Sequence, residues 1–191
     1  MGGEDEEAEG AEGTLLTARL LLRRLRASDT PVIARLSADQ AVAENLCHAI
    51  SQAGGAAFAV TLRGDGVIIG CAGHGKIEDR PDSHEAGLWI GRPWWGRGYG
   101  TEAAQALVDH AFADDCTDAL WCSNRVTNTR ARRVIEKCGF QFRGTGMVRS
   151  PTLFGAFPVE RFVLDRRNWA SLKAWGAPDR ERGRPQRETA A

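Results

Sequence analysis

The chain is predicted to be an α/β protein, and three stretches carry that prediction. Residues 86–90 form a short apolar run that passes through Gly91, Arg92 and Pro93, which do not easily continue a strand, into a glycine-rich turn and then a helix. Asp65-Gly66 separates the apolar runs 58–62 and 67–72, a strong hairpin signal. A further apolar run, 119–123, follows the helix, and the crossover between it and 84–90 implies parallel pairing or near-neighbour placement.

In chain order, residues 17–26 suit a strand that turns Leu20, Leu22 and Leu25 toward a core. Ser28-Asp29-Thr30-Pro31 supplies an N-cap with Pro in the first turn, and Val32, Ile33 and Leu36 continue as a helix. A second short helix is expected over 39–46 and a loop over 50–57. Strands at 58–62, 67–72 and 84–90 come next, and then the helix after the glycines, where Ala103, Ala104, Leu107, Val108 and Ala111 recur at helical spacing. In 126–140, Thr127 is a candidate cap, Val134 and Ile135 are buried candidates, and Gly139 is a stop. Residues 141–147 and 160–164 read as a closing hairpin. The acidic head 1–13 and the tail 177–191 are expected to be disordered, leaving 14–176 as one domain.

Composition excludes several classes of function. With 191 residues, 42% hydrophobic content and six Trp, the chain can bury a sizeable core. No apolar run is long enough to span a bilayer, and the acidic, Gly-rich head is unlike a signal peptide. Five cysteines without a C-x-x-C pair, and four scattered histidines, offer no zinc spacing, so free thiols in a reducing cytoplasm and no metal are expected. Net charge is zero and the arginines are dispersed, which argues against nucleic acid.

Gly96, Gly98 and Gly100 stand at alternate positions and let the backbone turn with amides converging on one side. A helix N-terminus follows at once, with Thr101 and Glu102 in its first turn and Arg97 beside it. Unpaired N–H groups and the positive dipole end suit a phosphate or pyrophosphate, although a plain loop and cap has the same pattern. The third glycine comes one residue too early for G-x-G-x-x-G, and the Walker Lys-Ser/Thr ending is missing.

The stretch W-G-R-G-Y-G-T-E-A, from Trp95 to Ala103, resembles the pyrophosphate loop of the GNAT superfamily of N-acetyltransferases, in its RimJ/RimL-like branch. Trp95 stands where the superfamily usually has Gln or Arg. A second motif is similar to the family's N-x-x-S-x-x-x-x-E-K-x-G-F, with Asn128, Glu136, Lys137, Gly139 and Phe140 matching and Ala131 in place of Ser. The resemblance implies a mixed, strongly twisted central sheet with flanking helices and a splayed central strand pair, here 85–90 and 119–123. It also implies acetyl-CoA as co-substrate, with Ile90, Gly96, Arg97, Gly98, Tyr99, Gly100, Thr101 and Asn128 binding it.

The implied reaction is attack by a neutral amine on the thioester, and something must take the amine's proton. Glu85 matches the acidic residue of many relatives, near the splay, where burial raises a carboxyl pKa; an ion-paired strand-edge carboxylate is the plainer reading, and His84 is the second choice as base. Ala131 and Ile135 replace a Ser and a Tyr that could protonate the leaving thiolate, so Ser123, Tyr99 or a water must substitute. Trp89 and Trp121 are expected in the core, while Trp94 and Trp95 are open between core and acceptor cleft. The acceptor is a primary amine, either a protein N-terminal α-amine, favoured by the branch resemblance, or a small molecule. A CoA-binding module without catalysis is the competing class, motivated by the missing Ser and Tyr.

Overall fold

The computed structural model describes residues 13–46, 55–77, 80–113, 116–149 and 155–176. Apart from Gly13, the two expected tails lie outside them, as does most of the expected loop 50–57. Eight strands form one sheet: β1 (Leu15–Leu16), β2 (Leu20–Arg24), β3 (Ala56–Leu62), β4 (Ile68–Ile77), β5 (Arg80–Ile90), β6 (Ala119–Arg125), β7 (Gln141–Arg149) and β8 (Ala156–Asp165). Their order is β1-β2-β3-β4-β5-β6-β8-β7, and every neighbouring pair is antiparallel except β5 and β6. The exception follows from the helix between them, because a crossover returns the chain in the same direction.

Among the described residues the α-helices that flank the sheet are α1 (Thr30–Ser37), α2 (Gln40–Ala43), α3 (Tyr99–Ala113), α4 (Thr129–Lys137) and α5 (Arg166–Gly176). Helix α3 buries Ala103, Leu107, Val108, Ala111 and Phe112, the three- and four-residue spacing of one face. Ala103 and Leu107 pack with Leu20, Leu22, Phe58 and Val60; Val108, Ala111 and Phe112 pack with Leu120, Phe140, Phe162 and Leu164. One helix thus joins the two cores across the β5–β6 junction, each large side chain contributing about 1.5–3 kcal/mol of burial.

Several expectations are corrected. Thr127 does not cap α4; Asn128 does, its side chain accepting from the Ala131 N–H at 3.1 Å. Asp29 does not use its carboxylate on α1 but takes a bidentate Arg23 at 2.7 and 2.8 Å and the Arg26 N–H. It is one of the few buried carboxylates, and hydrogen bonding from Arg23 holds its pKa below the usual range despite burial. Asp39 caps α2, which is only four residues long. Strands β4 and β5 are longer than expected. Helix α5 was not anticipated; Asp165 accepts the Asn168 N–H at its start, and Trp169 stacks on Phe112. Trp89 and Trp121 are half-buried and belong to neither core cluster. Among the described residues no helix is long and apolar enough to cross a membrane.

Candidate active site

The central feature is the way β5 leaves β6. Their parallel register covers only Ser83 to Glu85 against Ala119 to Trp121, although β5 continues to Ile90 and β6 to Arg125. Beyond that point the two strands diverge. Ala86 and Leu88 consequently stay half-exposed on a central strand, where burial is the norm.

Hydrogen-bond alternation identifies which backbone groups the divergence releases. The Gly91 N–H donates to the Ile69 carbonyl near the start of β4 at 2.7 Å, so residues 85, 87 and 89, at the same parity in a regular register, also face β4. Residues 86, 88 and 90 therefore face the gap. The Ile90 carbonyl is taken by the Trp95 indole N–H at 2.5 Å. That leaves the Leu88 N–H and C=O and the Ile90 N–H along an open edge, ready to pair with an extended amide-bearing ligand.

At the top of this edge a 3-10 turn, Arg92–Trp94, leads into the glycines. Gly96 and Gly98 have φ of 76° and 83°, a conformation that a Cβ makes costly, so the alternate glycines are needed for the turn itself. Helix α3 starts at Tyr99, and the first intrahelical bond of this end runs from the Glu102 N–H to the Gly98 carbonyl. The N–H groups of Tyr99, Gly100 and Thr101 precede it and have no intrahelical acceptor. Gly100 lies between Ile90 and Val134, which a Cβ would meet at 3.9 and 3.8 Å. The glycine turn is thus seated between the end of β5 and helix α4.

A clamp that sequence reasoning missed holds this turn. Glu102 accepts from the Thr17 hydroxyl at 2.6 Å, the Arg19 N–H at 2.8 Å and the Arg19 guanidinium at 2.7 Å. The same guanidinium donates to the Arg97 carbonyl at 2.9 Å and stacks over Tyr99 at 4.6 Å. Burial raises the Glu102 pKa, but the bonds from Thr17 and Arg19 outweigh it and hold the carboxyl below its ordinary value. Thr17 and Arg19 are 85 and 83 residues from Glu102, so no local pattern could reveal the pairing. The Arg97 side chain is exposed beside the turn.

On the other lip, Asn128 spends its side-chain oxygen on the α4 cap, which leaves its amide N–H₂ as the group available to a ligand. Arg130 lies over the Trp95 ring at 5.2 Å and ties α4 to the loop. Ala131 and Ile135 are half-buried on α4 and contribute no hydroxyl. Ser123 is half-buried on β6, beyond the last paired residue.

Glu85 stands at the apex, opposite Trp121 in the register, and is half-buried rather than enclosed. By strand alternation its side chain shares a face with Trp89, while His84 shares the other with Ala86 and Leu88. His84 Nδ1 is 3.0 Å from His74 Nδ1, and His74 Nε2 is 2.9 Å from His110 Nδ1 on α3. His84 therefore faces α3, away from Glu85, and the two candidate bases are not interchangeable. Nor do the three buried thiols among the described residues offer a nucleophile. Burial pushes Cys71 up to about 12, Cys138 to about 11 and Cys122 well above the ordinary value. Among the described residues no group of His, Cys, Asp and Glu has a metal-holding arrangement.

Residues 19–141 match the family described as the acetyltransferase (GNAT) domain. Uncharacterized N-acetyltransferase p20 of Bacillus licheniformis is 25% identical over 149 residues, 69% of this chain and 84% of that protein. Spermidine N-acetyltransferase from Vibrio cholerae, solved with CoA and spermine, has a TM-score of 0.68 at 17% identity, covering 81% of this chain and 99% of its own. Aminoglycoside acetyltransferase AAC(6')-Ib, solved with coenzyme A, has a TM-score of 0.67 at 20% identity with the same coverage. At these identities the two structures speak for the fold.

Proposed function

Because the chain belongs to the GNAT family of acetyltransferases and takes its acetyl group from acetyl-CoA, we propose that it acetylates a primary amine by direct attack in a ternary complex, with Glu85 as general base. The observation that carries this reading is the open edge of β5 ending at a glycine nest. An extended pantetheine arm pairs with Leu88 and Ile90, and the pyrophosphate lies on the amides of Gly98 to Thr101 with Arg97 beside it. The Asn128 amide donates to the arm from α4.

The thioester end of an arm lying in this direction reaches the apex, where Glu85 and Trp121 face each other across the last paired residues. An ammonium acceptor gives its proton to Glu85, the neutral amine forms the new C–N bond at the thioester carbonyl, and the C–S bond breaks as the thiolate leaves and takes up the second proton of the attacking nitrogen. Ser123, beyond the apex on β6, is the hydroxyl assigned to the thiolate; Ala131 and Ile135 offer none. Direct transfer rather than an acyl-cysteine is supported by the raised thiol pKa of Cys122, the cysteine on β6.

Glu85 with two half-exposed indoles, Trp89 and Trp121, makes a surface that suits a cationic amine. The fold neighbours that bind spermine and aminoglycoside-type acceptors favour small amines, and the branch resemblance favours a protein N-terminal α-amine. Cytoplasmic residence is part of the proposal, in keeping with the free Cys71, Cys116, Cys122 and Cys138. The test is calorimetric titration of acetyl-CoA together with thiol release over a panel of polyamines, aminoglycosides and peptides with free N-termini. Binding followed by amine-dependent thiol release supports the reading. Binding without release for any amine overturns the catalytic assignment, and absence of binding overturns the nest.

A further inference from the structure

Three of the chain's four histidines form one hydrogen-bonded row, His84–His74–His110, with N···N distances of 3.0 and 2.9 Å. His74 and His84 are 5% and 3% exposed and their rings stack at 5.1 Å, while His110 meets the Phe58 ring edge-on. The row joins β4, β5 and α3. His84 lies in the last three paired residues before the strands diverge, next to Glu85, and His110 lies on the helix whose N-terminus carries the glycine nest. Nothing in the acetyl transfer described above uses these rings.

We propose that His74 is a positioning residue for the proposed reaction: through its row with His84 and His110 it holds α3, and so the acetyl-CoA nest, against the apex of the cleft, and excess protonation of the row releases that hold. This inference rests on the acetyl-CoA reading of the nest.

The argument is a count of protons. Each N···N bond needs one hydrogen, and both nitrogens of His74 are engaged, so two hydrogens occupy the two bonds. The two outer nitrogens, His84 Nε2 and His110 Nε2, can hold two more. Three neutral imidazoles carry three hydrogens, so the row accepts one extra proton with both bonds kept. A second sets an N–H against an N–H, and one bond must open. The charged neighbours oppose even the first. Arg24 of β2 lies over Phe58, and Lys76 pairs with His84 in the β4–β5 register. Asp109, adjacent to His110, is committed to Trp169 and Lys173 at 2.9 and 2.7 Å, and Glu85 is on the opposite face. Burial, and then Arg24, hold the His110 pKa below its ordinary value. Such a group favours the fold above the unfolded pKa of about 6.5 and ceases to as pH falls through the folded value.

The experiment measures the acetyl-CoA Kd by calorimetry and the melting temperature between pH 8 and 5, for wild type, His74→Phe and His110→Phe. Ionisation of the cofactor's own phosphates is common to all three proteins and cancels. Expected is a higher Kd for both variants at pH 8, and a wild-type Kd that rises toward pH 5 more steeply than theirs, by up to about tenfold per pH unit for each linked proton. If His74→Phe does not fold, His110→Phe, whose ring is only half-buried, gives the same comparison. Parallel Kd curves in wild type and variants overturn the proposal, as does a melting temperature lowered equally at every pH with no change in Kd. No binding by wild type at pH 8 removes the nest reading and this inference with it.

Discussion

The lower half of β5 is polar and its upper half apolar, and the two have opposite fates. At His84 and Glu85 the strand is zipped on both sides, to β4 and to β6; from Ala86 to Ile90 it keeps β4 and loses β6. The upper gap is held open by packing: Gly100 sits between Ile90 and Val134, Trp95 caps the Ile90 carbonyl, and Arg130 covers Trp95. A strand edge is ordinarily a liability to be paired or covered. Here the elements that keep β6 away also carry the anion nest, so the unpaired edge and the phosphate site are one construction. On the proposed reading, the cofactor slot is specified mainly by backbone, and the chemistry by Glu85, the carboxylate at the boundary between the two halves.

Four substitutions probe that contrast. The largest effect is expected from Glu85→Gln, which keeps size and loses the proton acceptor: kcat should fall about 10²-fold or more with acetyl-CoA affinity nearly unchanged. The deficit should shrink as pH rises and more amine arrives neutral. Steady-state kinetics from pH 6 to 9 check this, and wild-type turnover at pH 7 would return Glu85 to the role of a strand residue. Next is Gly98→Val, where a side chain must adopt φ near 83° and meets Arg19 at 3.2 Å. Strain of roughly 1–2 kcal/mol predicts an acetyl-CoA Kd weakened about tenfold or more in a protein that still folds by circular dichroism.

Glu102→Gln loosens the clamp rather than the turn, and a several-fold rise in Kd is expected by titration, with kcat unchanged. Its pH signature has a definite sign. A carboxyl with a depressed folded pKa stabilises above the unfolded value of about 4.3 and ceases to as pH falls through the folded value. Acid unfolding below about pH 4 should therefore be steeper in wild type than in Glu102→Gln. The smallest effect is expected from Trp95→Phe, which frees the Ile90 carbonyl but keeps an aromatic face for Arg130. A two- to threefold change in Kd is anticipated, roughly the worth of one net hydrogen bond, and a fall in kcat without one in affinity would show that the indole serves the chemistry instead.

Much of this site could be read along the chain, because its parts are local. Gly96, Gly98 and Gly100, the helix start after them, Asn128 at the head of α4 and the Asp65-Gly66 hairpin each depend on backbone conformations set by a few neighbouring residues. Residue type alone restricts those conformations. Helix α5 escaped because its apolar positions, Trp169 and Leu172, are too few to mark a period, and its start is signalled only by the Asp165 carboxylate. Tertiary structure decided the rest. The residue after which β5 and β6 separate, the Thr17–Arg19–Glu102 clamp and the His84–His74–His110 row all join groups on separate elements of the chain. Their geometry follows from how α3 and α4 pack on the sheet. Strand alternation puts Glu85 and His84, neighbours in the chain, on opposite faces, but only packing decides that the His84 face meets α3, and on the proposed reading this divides proton transfer from helix placement.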